Sequence, residues 1–416
     1  MNTLAPALLA LIGAPLFVAL VGLALLYLLQ AGIDPGAVVI EFYRLAETPT
    51  LTAVPLFCLA GFVLAESGAP NRLVRLSQAL LGRLPGGFAV MALVIAALFT
   101  AFTGASGMTI VALGGLVYPA LRQHGHDDRF ALGLVTTAGG LGLLLPPSLP
   151  LIVYGVVAGV PVDDLFLAGL VPGGLILVAL GAYSVWQGRR LPQPTPSARP
   201  ALGAAVRDCV GELLLPVVVL GGLLGGFIAV SETAALAILY VLLVEVGLRR
   251  EVPLRRLPAI VRDCMVLVGG VLIILAAALA WTNCLVDAEV PQRLLHWVSR
   301  QVHSRLAFLL LLNVFLLGVG CLLDMFSALI IVVPLVLPLA QAYGVHPVHL
   351  GMVLLTNLEI GYSTPPVGMN LFVASLRFGR PLLDVCRASL PFQLLLLLVL
   401  VLVTYVPALS LLLLHR

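Results

Sequence analysis

The sequence predicts an all-α polytopic membrane protein, arranged as an inverted repeat with two re-entrant helical hairpins and two broken helices. Three observations carry this. The 416-residue chain is 61% hydrophobic and 10% charged, with a mean hydropathy of +1.15, whereas soluble domains carry about a quarter charged residues. Apolar runs such as "LLALIGAPLFVALVGLALLYLL" (8–29) and "LPFQLLLLLVLVLVTYVPALSLLLL" (390–414) recur along the whole length, each near the roughly 20 residues that span hydrocarbon. A Pro-Pro pair also interrupts an apolar run twice, in "GLLLPPSLPLIVYG" (142–155) and in "NLEIGYSTPPVGMNLFVAS" (357–375).

In chain order, nine crossings are expected, at 6–29, 50–67, 129–159, 163–186, 211–229, 231–248, 264–285, 349–376 and 388–414. The first has neither a charged leading region nor a small-residue cleavage site and reads as a retained span. Two stretches, 86–121 and 305–340, are short for two spans each and have polar, glycine-containing middles, "FTGASGMT" (102–109) and "GCLLDMFS" (320–327). They read as hairpins that enter and leave on one face. Every basic residue is an arginine. With the N-terminus in the cytoplasm and the C-terminus outside, only Arg44, Arg293, Arg300, Arg305 and Arg416 of the 22 fall outside. The cytoplasmic loops then hold the rest, including Arg72, Arg75, Arg83, Arg122, Arg189, Arg199 and Arg249, as the positive-inside rule requires.

The two Pro-Pro pairs belong to a longer self-similarity. Pro119 superimposes on Pro338, 219 positions on, and the same shift carries Gly125 to Gly344, Gly142 to Gly361, Pro146 and Pro147 to Pro365 and Pro366, and Pro172 to Pro391. A shift of 221 lays "APNRL" (69–73) over "VPQRL" (290–294). The chain therefore divides into an N-terminal span and external loop (1–49), a first repeat (50–186), a cytoplasmic loop with linking helices (187–256) and a second repeat (257–416). An odd number of crossings separates equivalent helices, so the repeats are inverted and their hairpin tips converge from opposite faces. Inverted repeats with discontinuous helices are the architecture of secondary transporters, whose sites lie where the helices break.

Chemistry is expected at those breaks. Proline removes a backbone donor and forbids the helical conformation just before it, so carbonyls around Gly142 to Leu145 are freed. On the other repeat Gly361, Thr364 and Val367 take the matching part, with the Thr364 hydroxyl as an added oxygen. Carbonyl oxygens suit a hard cation, sodium being the natural one. The alternative is a proline kink that only shapes packing. Asp324 on the second tip and Glu359 before the second break are intramembrane acids, serving either as cation ligands or as partners for hairpin backbone. Glu232 reads as an acid in a first helical turn, and Thr136 and Thr137 as back-bonding to their own helix. The six cysteines form no C-x-x-C pair and the seven histidines no ligand spacing. Without an H-E-x-x-H, Walker A or dinucleotide motif, enzyme chemistry has no foothold.

The stretches "TGASGMTIVALGGLVYPALRQHG", "GLLLPPSLPLIVYG", "GGLLGGFIAVSETAALAILY", "GCLLDMFSALIIVVPLVLPLA" and "VHLGMVLLTNLEIGYSTPPVGMNLFVAS" resemble the large permease subunit of tripartite ATP-independent periplasmic (TRAP) transporters, the C4-dicarboxylate DctM-like family. The resemblance covers nearly the whole chain. It implies an elevator-type, sodium-coupled importer of organic acids in the bacterial inner membrane. A periplasmic binding protein would deliver the substrate, and a small four-helix membrane subunit would pair as a separate chain. It further implies one sodium site at Thr100 to Thr103 with Gly142, Leu145 and Pro146, and another at Gly320, Gly361, Thr364 and Val367. The first tip reads "TGASGM" where many relatives carry a serine-rich "SGSS". Substrate contacts are expected from Ser106, Thr109, Ser148, Asn357 and Asn370, which lie at the tips or flank the breaks. The carboxylate's charge would be met by sodium and half-helix ends near Ser106 and Ser327, or by a loop arginine, Arg377 or Arg305 first. An uncoupled channel on the same fold, or a membrane scaffold or sensor subunit, is the alternative reading.

Overall fold

The structure is a computed structural model, and it describes residues 15–81, 85–191, 202–224 and 228–414. Residues 6–14 of the first expected span and Arg83, Arg199 and Arg416 lie outside the described residues. Among the described residues seven helices are long and apolar enough to cross a membrane, or eight if the pair Asp128–Leu144 and Leu149–Ala158, bent by 43°, counts as one span.

The chain runs through α1 (Leu16–Ala31), α2 (Gly36–Ala46), α3 (Ala53–Glu66) and α4 (Ala69–Leu81) into the first hairpin. That hairpin climbs on α5 (Gly87–Thr103) and returns on α6 (Ser106–Ala112) and α7 (Gly114–Gln123). Gly104 turns the tip at φ +64°, a conformation that costs glycine little. The first broken helix is α8 (Asp128–Ala138), a 3₁₀ turn (Leu141–Leu144) and α9 (Leu149–Ala158). Then come α10 (Val162–Gly188), α11 (Leu202–Leu224), α12 (Val230–Val241) with a π-helical extension (Leu242–Leu248), and α13 (Leu257–Asp287). Next is α14 (Val290–Gln301), followed by the second hairpin, α15 (Arg305–Leu322) and α16 (Met325–Ala342). The second broken helix is α17 (Pro347–Tyr362) and α18 (Met369–Phe378), and α19 (Leu382–Tyr405) completes the bundle.

Three findings correct the sequence expectations. Stretches 36–46, 69–81 and 290–301, expected as loops, are helices α2, α4 and α14. Their apolar residues recur at helical spacing and cover only one face, too little to register as a span. Each arm of the second hairpin is 18 residues long and apolar enough to cross, about 27 Å at 1.5 Å per residue, so 305–340 is not short for two spans. Arg72, placed in a solvated loop, is 5% exposed.

The broken helices form the centre. Every residue of α17 from Val348 to Tyr362 is buried, as is α8 from Phe130 to Ala138 and α9 from Leu149 to Gly155, so α17 carries His349, Asn357 and Glu359 into the interior. Around them the packing crosses over. The returning helix of each hairpin lies against the second half of the other break, α6 on α18 and α16 on α9. Glu232 accepts from the Ala229 N–H at the start of α12 (2.9 Å), and the Thr136 hydroxyl donates to the Leu132 carbonyl (2.8 Å), but the Thr137 hydroxyl, expected to back-bond in the same way, is buried without a hydrogen-bond partner.

Candidate functional site

Each break is pressed against the last turn of a hairpin's first helix, and glycine makes the approach possible. A Cβ on Gly142 would collide with the Ala97 carbonyl, the Ala101 N–H and the Thr100 side chain of α5. A Cβ on Gly361 would sit 2.6 Å from the Gly320 Cα and 2.9 Å from the Cys321 nitrogen of α15. Gly142 and Gly361 stand 219 positions apart, as do Ala101 and Gly320. Turn bonds repeat the relation: Leu145 N–H donates to the Gly142 carbonyl (3.1 Å) and Thr364 N–H to the Gly361 carbonyl (2.9 Å). Each carbonyl keeps a second lone pair, and among the described residues no group of three His, Cys, Asp or Glu side chains converges to hold a metal ion, so a cation at the breaks would have to draw on such backbone oxygens. Hard monovalent cations fit that donor set.

At the first tip the Thr100 hydroxyl donates to the Ala96 carbonyl (2.8 Å), reaches the Gly139 carbonyl (3.0 Å) and meets the Thr109 hydroxyl (2.7 Å). The Thr103 hydroxyl is buried without a hydrogen-bond partner, a group whose desolvation is uncompensated. Ser148 donates to the Leu143 carbonyl, closing the turn that precedes Pro146 and Leu149. At the second break Thr364 donates to the Ile360 carbonyl of its own helix (2.7 Å), and Val367 N–H donates to the Cys321 carbonyl of the hairpin (3.3 Å). Asp324 caps α16, accepting from the Ser327 N–H (3.0 Å) and the Ser327 hydroxyl, so its carboxylate is engaged by hairpin backbone.

Ser106 and Asn370 meet. The Ser106 hydroxyl donates to Asn370 Oδ1 (2.7 Å), and Asn370 Nδ2 donates to the Ser363 hydroxyl (3.3 Å). Hairpin one is thereby tied to break two. Asn357 looks elsewhere: its Nδ2 donates to Asn313 Oδ1 (2.7 Å) and the Val353 carbonyl (2.8 Å), and Asn313 donates to the Thr404 hydroxyl (3.1 Å). This ladder joins α17, α15 and α19. Asn313 was not among the residues singled out from the sequence, although an asparagine inside "LLLLNVFLL" is itself a signal for a buried polar contact. Glu359 is 2% exposed with both carboxylate oxygens unpartnered. It faces Gly140, where a Cβ would stand 3.0 Å from the Glu359 Cγ; the two positions are again 219 apart.

A second polar cluster escaped the sequence reading. Arg72 on α4 donates to Glu212 Oε1 on α11 (2.6 Å), to both oxygens of Glu245 in the π-helix (3.0 and 2.9 Å) and to Glu251, while Arg249 donates to Glu212 (2.7 Å). Glu251 lies outside the spans. Burial pushes its carboxyl up, but the hydrogen bonds from Arg72 and the Gly68 N–H outweigh this and hold it below the usual range.

Comparisons with known proteins identify the family. Residues 4–409 match the model of the DctM component of tripartite ATP-independent periplasmic transporters. The C4-dicarboxylate TRAP transporter large permease protein DctM of Pseudomonas aeruginosa is 36% identical over 93% of this chain and 91% of its own. The isethionate TRAP transporter permease protein DctMQ of Oleidesulfovibrio alaskensis is 35% identical over 97% of this chain and 64% of its own. The ectoine TRAP transporter large permease protein TeaC of Halomonas elongata is 29% identical over 97% and 96%. Among solved structures, the Alcanivorax borkumensis YdaH transporter superimposes with a TM-score of 0.59 at 17% identity, over 88% of this chain and 86% of that one, a likeness of fold. With its paired breaks and an end-to-end family match, the chain belongs to the DctM family, the large membrane permeases of TRAP transporters.

Proposed function

We propose that this permease imports an organic acid by sodium-coupled alternating access. The observation that carries the proposal is the pair of equivalent approaches, Gly142 on Ala101 and Gly361 on Gly320, each holding a broken helix's carbonyls beside a hairpin tip. Such breaks are tolerated at membrane depth where they are buried or line a cavity. Sodium at each would be held by carbonyl oxygens, with Thr100, Thr103, Gly142, Leu145 and Pro146 around the first and Gly320, Gly361, Thr364 and Val367 around the second. Bound, it supplies the positive charge that a substrate carboxylate needs in low dielectric. Ser106 and Asn370, already hydrogen-bonded across hairpin one and break two, are the first substrate contacts, with Ser363 beside them.

The equal spacing of these contacts supports two inverted repeats moving as an elevator, hairpins and breaks against α11 to α13. The partners proposed from the family are a small membrane subunit and a periplasmic binding protein, in the bacterial inner membrane with the N-terminus cytoplasmic. The substrate class follows the relatives, named for C4-dicarboxylates, isethionate and ectoine, with a dicarboxylate first. Uptake of labelled succinate by proteoliposomes holding the permease, its small subunit and its binding protein should require a sodium gradient, with a dependence steeper than first order. Full uptake in potassium-only buffer refutes sodium coupling.

A further inference from the structure

The two crossed interfaces are chemically unequal. On α6, α18 and the break before α18 the chain places Ser106, Asn370, Arg377 and Ser363; 219 positions away, on α16, α9 and the break before α9, stand Met325, Leu151, Ala158 and Leu144. Met325, Leu144 and Leu151 are buried, at 2% exposure or less, and Tyr154 beside them is sealed. On the polar side Val111, Met369 and Phe372 are exposed and Arg377 is exposed. The α16–α9 seam is apolar, whereas the α6–α18 seam buries the polar Ser106, Ser363 and Asn370 beside an apolar contact of Ile110, Leu371 and Ala374.

The α6–α18 seam ends on a seated guanidinium. Arg377 Nε donates to the Val111 carbonyl (3.1 Å), which leaves its paired Nη donors uncommitted. Gly115 clears the seat, since a Cβ there would collide with Nη2, and the neighbouring Gly114 does the same for Phe378 at 3.1 Å. In the second hairpin these two positions are Pro334 and Val333. Arg380 and Arg122 share Asp128, whereas among the described residues no carboxylate pairs with Arg377. Seven residues of helix separate Arg377 from Asn370, about 10 Å at 1.5 Å per residue.

We infer that Arg377 is an anion subsite for the substrate's carboxylate, at the exposed end of the α6–α18 contact below the Ser106–Asn370 pair. A planar guanidinium receives a carboxylate through two parallel N–H donors, and the site keeps both Nη groups free for it. The inference rests on the transporter reading for the identity of the anion as an organic acid, but its test needs no transport.

The purified full-length permease in detergent is labelled with phenylglyoxal, and modification of Arg377 is followed by peptide mass spectrometry in sodium succinate, sodium acetate or sodium chloride at equal ionic strength. Labelling of Arg377 should slow by about fivefold or more in succinate, as a charge-assisted bidentate contact implies, with exposed Arg262 unchanged. Equal labelling in all three salts, or equal protection of Arg262, overturns the site. Protection at Arg377 without sodium-driven uptake leaves the subsite standing and removes only the coupling.

Discussion

Replacing Arg72 with alanine removes the one cation that touches all three carboxylates of the α4–α11–α12 cluster. The Arg72 side chain is 6% exposed and those of Glu212 and Glu245 are 4% and 1%, so little solvent screens them. After the replacement, Arg249 alone faces three carboxylates, 2.7 Å from Glu212 and 3.9 Å from Glu245. Two unit charges 4 Å apart interact by about 4 kcal/mol at an effective dielectric of 20, and removing one partner of a buried pair costs about 3–5 kcal/mol because the other charge stays buried. Arg72→Ala should therefore lower stability by about 3–5 kcal/mol, read as an earlier thermal transition of the detergent-solubilised protein with a thiol-reactive dye. The dye reports opening of the bundle as a whole, since free Cys58, Cys209, Cys264 and Cys284 are all buried. Replacing Arg72, Glu212 and Glu245 together with Met and Leu should recover most of the loss, as apolar substitutes for buried ion clusters do. A single variant within about 1 kcal/mol of wild type, the range of a surface pair, refutes the account. It would also free α4 from the scaffold to which this cluster ties it.

Gly361→Ala should cost about 1–3 kcal/mol by overpacking against α15 and abolish uptake, because the carbonyl seat and the hairpin must separate; normal uptake kinetics would show that the close approach is dispensable. His126 is buried, with its Nδ1 unpartnered, and stacked on Phe130 at 4.8 Å; burial, with the nearby His124 charge, lowers its pKa to about 4. The folded state thus binds the proton more weakly than the unfolded state. The stability His126 supports is present above about pH 6.5 and is lost as pH falls toward about 4, on the order of 3 kcal/mol. His126→Phe should flatten that part of the stability profile, and an unchanged slope between those pH values contradicts the assignment. Asn370→Ala should raise the half-saturating substrate concentration as well as lower thermal stability, because it unpairs the buried Ser106 and Ser363, whereas Asn357→Ala should lower thermal stability and leave that concentration unchanged, because it removes the bond to Asn313. Equal substrate affinity in wild type and Asn370→Ala removes Asn370 from the site.

Some of this protein is written in local sequence. Membrane residence follows from composition, and the two helix breaks follow from Pro146–Pro147 and Pro365–Pro366, because proline acts on its own backbone and its immediate neighbour. Asp324 as a helix cap and Glu232 in a first turn are equally local, read within three residues of the groups they bond. Amphipathic α4 and α14 were passed over because a half-apolar helix carries no span signal, although their Arg72 and Arg293 align in the repeat. Their fates then diverge: Arg72 is buried among Glu212, Glu245 and Glu251 while Arg293 is exposed. Sequence spacing cannot choose between those outcomes, since the partners lie 140 to 179 positions away and are found only when helices pack. The same holds at the site. Glycines at 142 and 361 mark places where backbones come close, but only the tertiary structure decides that Ser106 meets Asn370, that Asn357 turns to Asn313, and that one crossed seam buries a polar pair while its counterpart is apolar. Those pairings depend on which faces two helices present to each other, a property of the packed bundle.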